Sequence, residues 1–265
     1  MRPIVLFDMD GTLTPVRQKI EPGMILSLLK LSMIADIGIV TGSGHDYLSE
    51  QCDALINHKS AGLKKSITLF PCNGTQKLKY DPKKKDWNLV SSAKMIDELG
   101  KASFDRLIKV LLELQLEVAS KEEYSMIPLT GNFISYRGSM INLCPMGRDA
   151  SPTDRKDFEK ADKKFNLRKG LVEKLELKIE KSNVRGIVSA LGGNTSVDIY
   201  PTGWDKTYSL SHIDTDDVWF VGDRCLPGEN DFSLYQKLKP ERRSFRTHST
   251  QQTMSIIEDI IVLLK

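Results

Sequence analysis

The 265-residue sequence predicts an α/β fold in which an α+β cap interrupts a parallel-sheet core. Short apolar runs alternate with helix-like stretches at both ends of the chain, a rhythm typical of parallel strands joined by crossover helices. The middle of the chain instead shows paired short strands and long polar helices, which is typical of an antiparallel module. We therefore predict a discontinuous core, residues 1–90 and 204–265, with a cap at residues 91–203.

Three apolar runs mark the strands of the first core segment. Pro3 to Phe7 reads as a buried strand ended by an Asp-Gly turn, and Ile37 to Val40 and Ile67 to Phe70 as the next two. Helices are predicted from Met24 to Ser32 and from Asp46 onward. Because parallel sheets bind ligands at the carboxyl ends of their strands, the polar segments after these runs are candidate site residues.

The cap and the tail are predicted from different patterns. Ser91 to Val118 reads as mostly helical, and the stretches GNFISYRGSMINLCP and VSALGGNTSVDIYP each read as two strands joined by a turn. Charged helices fill the sequence between those stretches. In the tail, DVWFVGDR is predicted to be a strand ending in Gly-Asp and Ser255 to Leu264 a helix.

Composition and charge favour a globular protein with neither nucleic acid nor membrane as a partner. The chain is 40% hydrophobic and 28% charged, and its formal net charge of +3 is too small to indicate polyanion binding. No apolar stretch reaches the about 18 residues of a membrane span. Because the sequence starts directly with a predicted strand, we expect no signal segment, and its cysteines lack CxxC spacing. We expect free thiols and a cytoplasmic location.

The segment FDMDGTLTP places two carboxylates directly after the first strand. Asp8 can attack a phosphoryl group and form an aspartyl-phosphate. Asp10, two residues on, can face the same opening and move a proton to or from a sugar oxygen, while Met9 faces away. Gly11 permits a tight turn, in which we expect backbone N–H groups to approach the phosphate oxygens.

Phosphoryl transfer also needs a hydroxyl and a cation, and both occur near predicted strand ends. Thr41 in IVTGSG offers the hydroxyl that holds the phosphoryl group, with Ser43 as the alternative. Lys206 in GWDKT offers the cation that neutralises phosphate charge.

A further acidic segment, FVGDRCLPGEND, predicts a magnesium site. Asp223 ends a predicted strand, and Asn230 and Asp231 follow closely. Mg²⁺ prefers oxygen ligands and keeps several waters, so few carboxylates suffice.

Together these parts resemble the haloacid dehalogenase-like phosphotransferase superfamily. The resemblance implies a Rossmann-like core that uses Mg²⁺, with Asp8 as nucleophile and Asp10 as general acid/base. It also implies four metal ligands, with Asp10 contributing its main-chain carbonyl: Asp8, Asp10, Asp223 and Asp231.

Four segments narrow the resemblance to the eukaryotic-type phosphomannomutase family: FDMDGTLTPVRQKI, FISYRGSMINLCPMGR, GGNTSVDIYPTGWDKTYSL and FVGDRCLPGENDF. The likeness covers nearly the whole chain and is weakest between about Thr75 and Leu129. It implies an α/β cap, a homodimer formed through that cap, and interconversion of mannose 6-phosphate and mannose 1-phosphate. A hexose 1,6-bisphosphate is the implied activator.

Such a mutase must hold one phosphate remotely while the other reacts. Arginine guanidinium groups suit a phosphate dianion because they donate two parallel hydrogen bonds. Strand alternation places Ser196 and Asp198 on one face. The resemblance implies that six residues bind the sugar phosphate: Arg17, Arg137, Arg148, Arg155, Ser196 and Asp198.

The chain departs from the family pattern at several positions. Thr41 stands where the family has glycine, as in the superfamily's phosphatases, Cys72 replaces an acidic residue, and Thr130 a basic one. Lys237 lies near the place of an acidic residue and would repel the second cation that the family binds. A Mg²⁺-dependent sugar-phosphate phosphatase is therefore the alternative function. A non-catalytic binding protein is disfavoured because Asp8 and Asp10 are both present.

Overall fold

A computed structural model describes residues 2–265 and divides the chain into two compact units. The core unit comprises the chain up to Ser92 together with Gly203–Lys265, and the cap unit comprises Ala93–Thr202.

The strands and helices of the described residues follow in chain order. The strands are β1 (Ile4–Phe7), β2 (Asp36–Val40), β3 (Ile67–Phe70), β4 (Gln76–Asp81), β5 (Asp86–Ser92), β6 (Ile134–Tyr136), β7 (Ile141–Leu143), β8 (Ile187–Gly192), β9 (Ser196–Pro201), β10 (Val218–Gly222) and β11 (Ser244–Arg246). The α-helices are α1 (Pro22–Leu31), α2 (His45–Gln51), α3 (Asp53–Ile56), α4 (Ala61–Ser66), α5 (Met95–Leu99), α6 (Lys101–Ser120), α7 (Pro152–Phe165), α8 (Leu167–Lys181), α9 (Phe232–Leu238) and α10 (Thr250–Leu263). Short 3₁₀ helices span Cys72–Gly74, Glu122–Tyr124, Lys206–His212 and Lys239–Glu241.

Within residues 2–265, the core unit is built on a seven-stranded sheet of order β11-β10-β1-β2-β3-β4-β5. The first five strands in this order are parallel, and β4 and β5 add an antiparallel hairpin at one edge. In the register, Phe7 at the end of β1 lies opposite Val221 of β10 and Ile39 of β2. The carboxyl ends of the central strands therefore meet at one edge of the sheet.

The central strand β1 is buried on both faces, as its continuous apolar sequence predicts. Val5 and Phe7 pack into an apolar cluster with residues of α1 and α10, while Ile4 and Leu6 pack on the opposite side with residues of α9. This two-sided burial fixes where the chain leaves β1, and thus where Asp8 begins.

The cap unit contains, in the described part of the chain, a four-stranded antiparallel sheet of order β6-β7-β9-β8. Helix α8 packs against α6 and against β8. The start of α7 is a capping box, in which the Ser151 hydroxyl accepts the Asp154 N–H and the Asp154 carboxylate accepts the Ser151 N–H.

The parallel sheet and the mixed α/β class are confirmed, but the sequence did not predict the β4–β5 hairpin. Ser91 and Ser92, expected to start a helix, end β5, and the first cap helix begins at Met95. Leu78 is the buried residue of β4, so this edge carries little of the apolar signal that predicts strands. Helix α10 begins at Thr250, earlier than expected, because the Ser249 hydroxyl accepts the Gln252 N–H and caps it.

Among residues 2–265, no helix combines the length and the apolar composition needed to cross a bilayer.

A substitution at Gly147, in the loop after β7, tests the packing of the cap. Its φ is +92°, and a Cβ there would lie 2.1 Å from the Gly131 carbonyl oxygen. We expect Gly147→Ala to lower the free energy of unfolding by about 2–4 kcal/mol, from overpacking and an unfavourable backbone conformation. Urea unfolding followed by circular dichroism measures the change.

Gly170→Ala is the matched control, because no heavy atom lies within 4 Å of a Cβ at this position in α8. Replacing a helical glycine here should stabilise the protein by up to about 1 kcal/mol. Equal stability of the two variants would contradict the tight approach of Gly131 to Gly147.

Candidate active site

A buried lysine and three carboxylates form the centre of the site in the core unit. Lys206 Nζ donates to Asp8 Oδ1 and, at 2.5 Å, to Asp231 Oδ1. The side chains of Lys206 and Asp231 are fully buried and that of Asp8 nearly so. Asp8, Asp223 and Asp231 each present a carboxylate oxygen, and these oxygens lie within 4.8 Å of one another.

Several segments hold these groups in place. Asp8 directly follows β1, and its N–H donates to the Val221 carbonyl of β10 at 3.0 Å. Asp231 precedes α9, and its Oδ2 accepts the Arg224 N–H at 3.0 Å. Lys206 begins a 3₁₀ helix that Asp205 caps by accepting the Thr207 N–H at 2.8 Å.

The charges of this cluster are incompletely balanced. Burial, followed by the charge of Asp231, raises the pKa of Asp8, and Lys206 offsets part of that rise. Burial and Asp231 likewise raise the pKa of Asp223 to about 6. Burial lowers the pKa of Lys206, but Asp231 and Asp8 outweigh it and leave the pKa above its usual value. One lysine is therefore too little positive charge for three carboxylates.

The acidic cluster fits Mg²⁺. Within residues 2–265, Asp223 Oδ1 is buried and has no hydrogen-bond partner. Glycines leave room for the carboxylates, since a Cβ at Gly11 would lie 2.4 Å from Asp223 Oδ2 and one at Gly222 2.6 Å from Asp231 Oδ2. Because all donors are oxygens and negative charge is in excess, a hard divalent cation suits them.

Asp10 has a different environment from Asp8, although two residues separate them. Its Oδ1 accepts the backbone N–H of Arg17 at 2.9 Å and the phenol of Tyr47 at 3.1 Å. The Asp10 carboxylate does not belong to the acidic cluster described above. Arg17 itself is exposed and has a positive φ of 57°.

The prediction that N–H groups of the turn at Gly11 approach a phosphate is wrong for most of that turn. The Gly11 N–H donates to the Thr14 carbonyl at 2.7 Å, and those of Thr12, Leu13 and Thr14 all point to the Met9 carbonyl. The turn satisfies its own donors, and Gly11 serves instead to admit Asp223.

Thr41 is buried directly after β2. Its Oγ1 accepts the Ser43 N–H at 3.1 Å, so its hydroxyl hydrogen remains able to donate. Its carbonyl accepts the Asn73 N–H at 2.8 Å, and the Ser43 carbonyl accepts the Cys72 N–H at 2.9 Å. The loops after β2 and β3 are thereby joined.

In the cap unit, Arg148 and Asp198 are linked through Asn142. Arg148 Nη1 donates to Asn142 Oδ1 at 2.9 Å, and Asn142 Nδ2 donates to Asp198 Oδ1 at 2.6 Å. A Cβ at Gly192 would lie 2.6 Å from the Asp198 carboxylate, so glycine provides its space.

Positive charge is concentrated in this part of the cap. The pKa of Arg148 is lowered, first because its guanidinium is partly withdrawn from water and second because Arg137 repels its charge, with a smaller repulsion from Arg155. Burial raises the pKa of Asp198, and Asn142, Arg137 and Arg148 oppose the rise. Arg155 is held by Thr195 Oγ1 at 3.1 Å and by the Arg148 carbonyl. Crowded guanidinium groups of this kind suit an anionic ligand.

The structure brings most of the predicted residues together in two groups, one in each unit, whereas the exposed Arg17 meets the core group through its backbone N–H to Asp10. In the core unit, Asp10 and Thr41 lie at the same edge of the sheet as the cluster around Lys206. In the cap unit, the group around Arg148 includes Ser196, which is buried at the start of β9. Asn230 and Lys237 are exposed.

Asn142 and Tyr47 are among the residues that contact these groups and were not predicted. Asn142 is a polar residue between the buried Ile141 and Leu143, a pattern that could have revealed it. Tyr47 carries no such signal, because its link to Asp10 depends on how α2 packs beside the turn after β1.

Fold and site together define a haloacid dehalogenase-like phosphotransferase. Two solved structures share the fold. The IMP-bound IMP-nucleotidase of Plasmodium falciparum aligns with a TM-score of 0.66 and 14% identity over 98% of this chain and 68% of that one. The trehalose-6-phosphate phosphatase of Aspergillus fumigatus aligns with a TM-score of 0.51 and 15% identity over 97% and 93%.

Within that class, the chain belongs to the eukaryotic phosphomannomutase family, whose family model matches residues 24–263. It is 33% identical to the phosphomannomutase of Schizosaccharomyces pombe over 239 residues, covering 88% of this chain and 85% of that protein. It is 34% identical to phosphomannomutase 1 of Mus musculus, covering 88% and 83%. The chain is thus a phosphomannomutase-like enzyme. The family model matches from residue 24 onward and thus excludes Asp8 and Asp10. The contacts of these two aspartates therefore support the assignment to this class independently of the family match.

Replacing Lys206 tests the buried charge cluster. Lys206→Met removes the cation beside Asp8 and Asp231, and we expect the free energy of unfolding to fall by about 3–5 kcal/mol. Urea unfolding at pH 7 without divalent cations measures this loss.

The control is Lys30→Met, which removes an ion pair to Glu258 at 2.7 Å whose side chains are 63% and 52% exposed. Such a surface pair contributes at most about 1 kcal/mol. Comparable losses from both substitutions would contradict the burial and pairing of Lys206.

Proposed function

We propose that the enzyme is a phosphohexomutase that interconverts mannose 6-phosphate and mannose 1-phosphate through an aspartyl-phosphate on Asp8. Curated relatives that span most of the chain carry the name phosphomannomutase. The observation that carries the proposal is the combination of the Asp8–Lys206 cluster with a crowded arginine group in the cap. A mutase needs both, because its sugar carries two phosphates at once.

The first chemical step loads Asp8. A hexose 1,6-bisphosphate serves as activator: an Asp8 oxygen attacks one phosphorus, the bond from phosphorus to the sugar oxygen breaks, and protonated Asp10 gives its proton to that oxygen. Lys206 offsets negative charge beside Asp8, and the Thr41 hydroxyl donates to the phosphoryl group. Mg²⁺, held by Asp8, Asp223, Asp231 and the Asp10 carbonyl, would supply further charge neutralisation.

The second step returns the phosphoryl group to the other position. A free hydroxyl of the hexose monophosphate attacks the aspartyl-phosphate while the Asp10 carboxylate takes the hydroxyl proton. The bond from phosphorus to Asp8 breaks, and a hexose 1,6-bisphosphate forms. After this bisphosphate turns end for end, the first step repeats at its other phosphate and releases the isomeric monophosphate.

The cap arginines bind the phosphate that is not reacting. Arg137, Arg148 and Arg155 together offer a high density of N–H donors. Asp198 and Ser196 provide polar groups for sugar hydroxyls. The hydrogen bonds from Arg148 to Asn142 and from Asn142 to Asp198 couple the phosphate-binding and sugar-binding groups.

Hydrolysis is the alternative function. It is favoured by Thr41, which stands where the family has glycine and resembles the residue of the superfamily's phosphatases. A phosphatase would use the same Asp8 chemistry, with water in place of the sugar hydroxyl in the second step. The arginine group favours the mutase, since a monophosphate needs no second phosphate site.

The deciding experiment incubates the purified protein with mannose 1-phosphate, Mg²⁺ and a catalytic amount of a hexose 1,6-bisphosphate. Mannose 6-phosphate and inorganic phosphate are both measured. A mutase forms mainly mannose 6-phosphate and depends on the bisphosphate. Release of phosphate without mannose 6-phosphate would establish the phosphatase instead.

Asp8→Asn should abolish both transfer and hydrolysis. An amide cannot accept the phosphoryl group as the carboxylate does, so we expect kcat to fall by on the order of 10³-fold or more. The measurement is the same assay, with folding checked by circular dichroism. Turnover within about tenfold of the parent enzyme would contradict the role of Asp8 as nucleophile.

Arg148→Ala should separate the two phosphate sites. Loss of one charge-assisted contact, about 1.5–3 kcal/mol, should raise KM for mannose 1-phosphate or the bisphosphate by about 10–100-fold. Hydrolysis of p-nitrophenyl phosphate should change little, because this substrate has no second phosphate.

Arg185→Ala is the control, since Arg185 is an exposed arginine of the same unit outside the arginine group. It should behave as the parent enzyme on both substrates. Equal losses of Arg148→Ala on both substrates would assign Arg148 to the fold, and no loss on either would leave the phosphatase as the better proposal.

A further inference from the structure

We propose that Tyr47 is a positioning residue for Asp10. Its phenol and the Arg17 N–H together hold Asp10 Oδ1, and Asp10 Oδ2 is left to exchange a proton with the sugar oxygen. The inference rests on the proposed function, because it takes Asp10 as the general acid/base.

The hydrogen bonds to the Asp10 carboxylate are unequally shared between its two oxygens. Both hydrogen bonds that its carboxylate accepts from residues 2–265 end on Oδ1, one from Arg17 N at 2.9 Å and one from the Tyr47 phenol at 3.1 Å. A protonated carboxyl carries its hydrogen on one oxygen only. Because two donors already point at Oδ1, the hydrogen of protonated Asp10 belongs on Oδ2. The two donors thus decide which oxygen serves as the acid.

The position of the Tyr47 phenol is restricted by the packing of its ring and by the helix that carries its backbone. Its ring packs against the apolar cluster on one face of the core sheet, and it lies in the first turn of α2 beside the fully buried Leu48. The Gln51 carbonyl at the end of α2 accepts the Ile20 N–H at 2.9 Å. This bond ties α2 to the segment that follows Arg17, so both donors to Oδ1 move with the same piece of structure.

A positioning role differs from a structural one in its dependence on the leaving group. A sugar oxygen is a poor leaving group and needs the proton of Asp10, whereas p-nitrophenolate leaves without one. Misplacing the Asp10 carboxyl should therefore slow transfer from a sugar phosphate and spare transfer from p-nitrophenyl phosphate. A merely structural defect would slow both.

The test compares Tyr47→Phe with Tyr80→Phe, which removes a phenol from a half-buried tyrosine on β4 of the same unit. Phosphorylation of Asp8 is followed in single turnovers with mannose 1,6-bisphosphate and, separately, by the burst of p-nitrophenolate from p-nitrophenyl phosphate. For Tyr47→Phe we expect about tenfold slower transfer from the bisphosphate, a burst rate within about twofold of the parent, and unchanged bisphosphate affinity. Tyr80→Phe should match the parent on both.

Asp10→Asn is included to separate the inference from the proposed function. If Asp10→Asn is selectively slow with the bisphosphate but Tyr47→Phe is not, the positioning role of Tyr47 is overturned and the role of Asp10 stands. Equal losses of Tyr47→Phe on both substrates also overturn it, since they indicate a structural role. If Asp10→Asn shows no selectivity, Asp10 is not the general acid, and the proposed mechanism fails together with the inference.

Discussion

The contact of Lys206 with Asp8 and Asp231 is the interaction on which the core unit depends. All three side chains are buried, so each charge is withdrawn from water and must be compensated within the protein. Lys206 follows the cap in sequence, Asp8 follows the first strand and Asp231 precedes α9. The ion pairs therefore join three distant parts of the chain at one point, and they leave the acidic cluster short of positive charge, a deficit that a divalent cation or a substrate-bound counter-ion can correct.

The parallel sheet places the residues of this cluster next to one another. Parallel pairing of β1 with β10 and β2 brings their carboxyl ends into line, so that Asp8, Asp223 and Thr41 all begin at one edge. Glycine then decides how closely the carboxylates approach, because a side chain at Gly11 or Gly222 would occupy their space. Apolar burial of β1 on both faces keeps this arrangement fixed.

Much of this arrangement could be predicted from the sequence, since apolar runs mark buried strands and strand ends mark sites. Asp8, Lys206, Asp223 and Asp231 were predicted together because phosphoryl transfer requires a nucleophile, a cation and metal ligands. The edge hairpin was missed because its strands bury few apolar residues. Tyr47 was missed for another reason: its role depends on one tertiary hydrogen bond, and neither residue type nor spacing encodes such a contact.

The position of the cap within the sequence also determines the order in which the strands of the core sheet become available during synthesis. β1 lies between β2, which the ribosome makes soon afterwards, and β10, which follows the entire cap. At about 5–20 residues per second, the delay between β1 and β10 is on the order of tens of seconds. The cap strands all emerge before β10, so the cap can form its own sheet while one long edge of β1 still lacks a partner. An unpaired apolar edge of this kind is prone to aggregation, so the core sheet is at greatest risk during the interval before β10 is made.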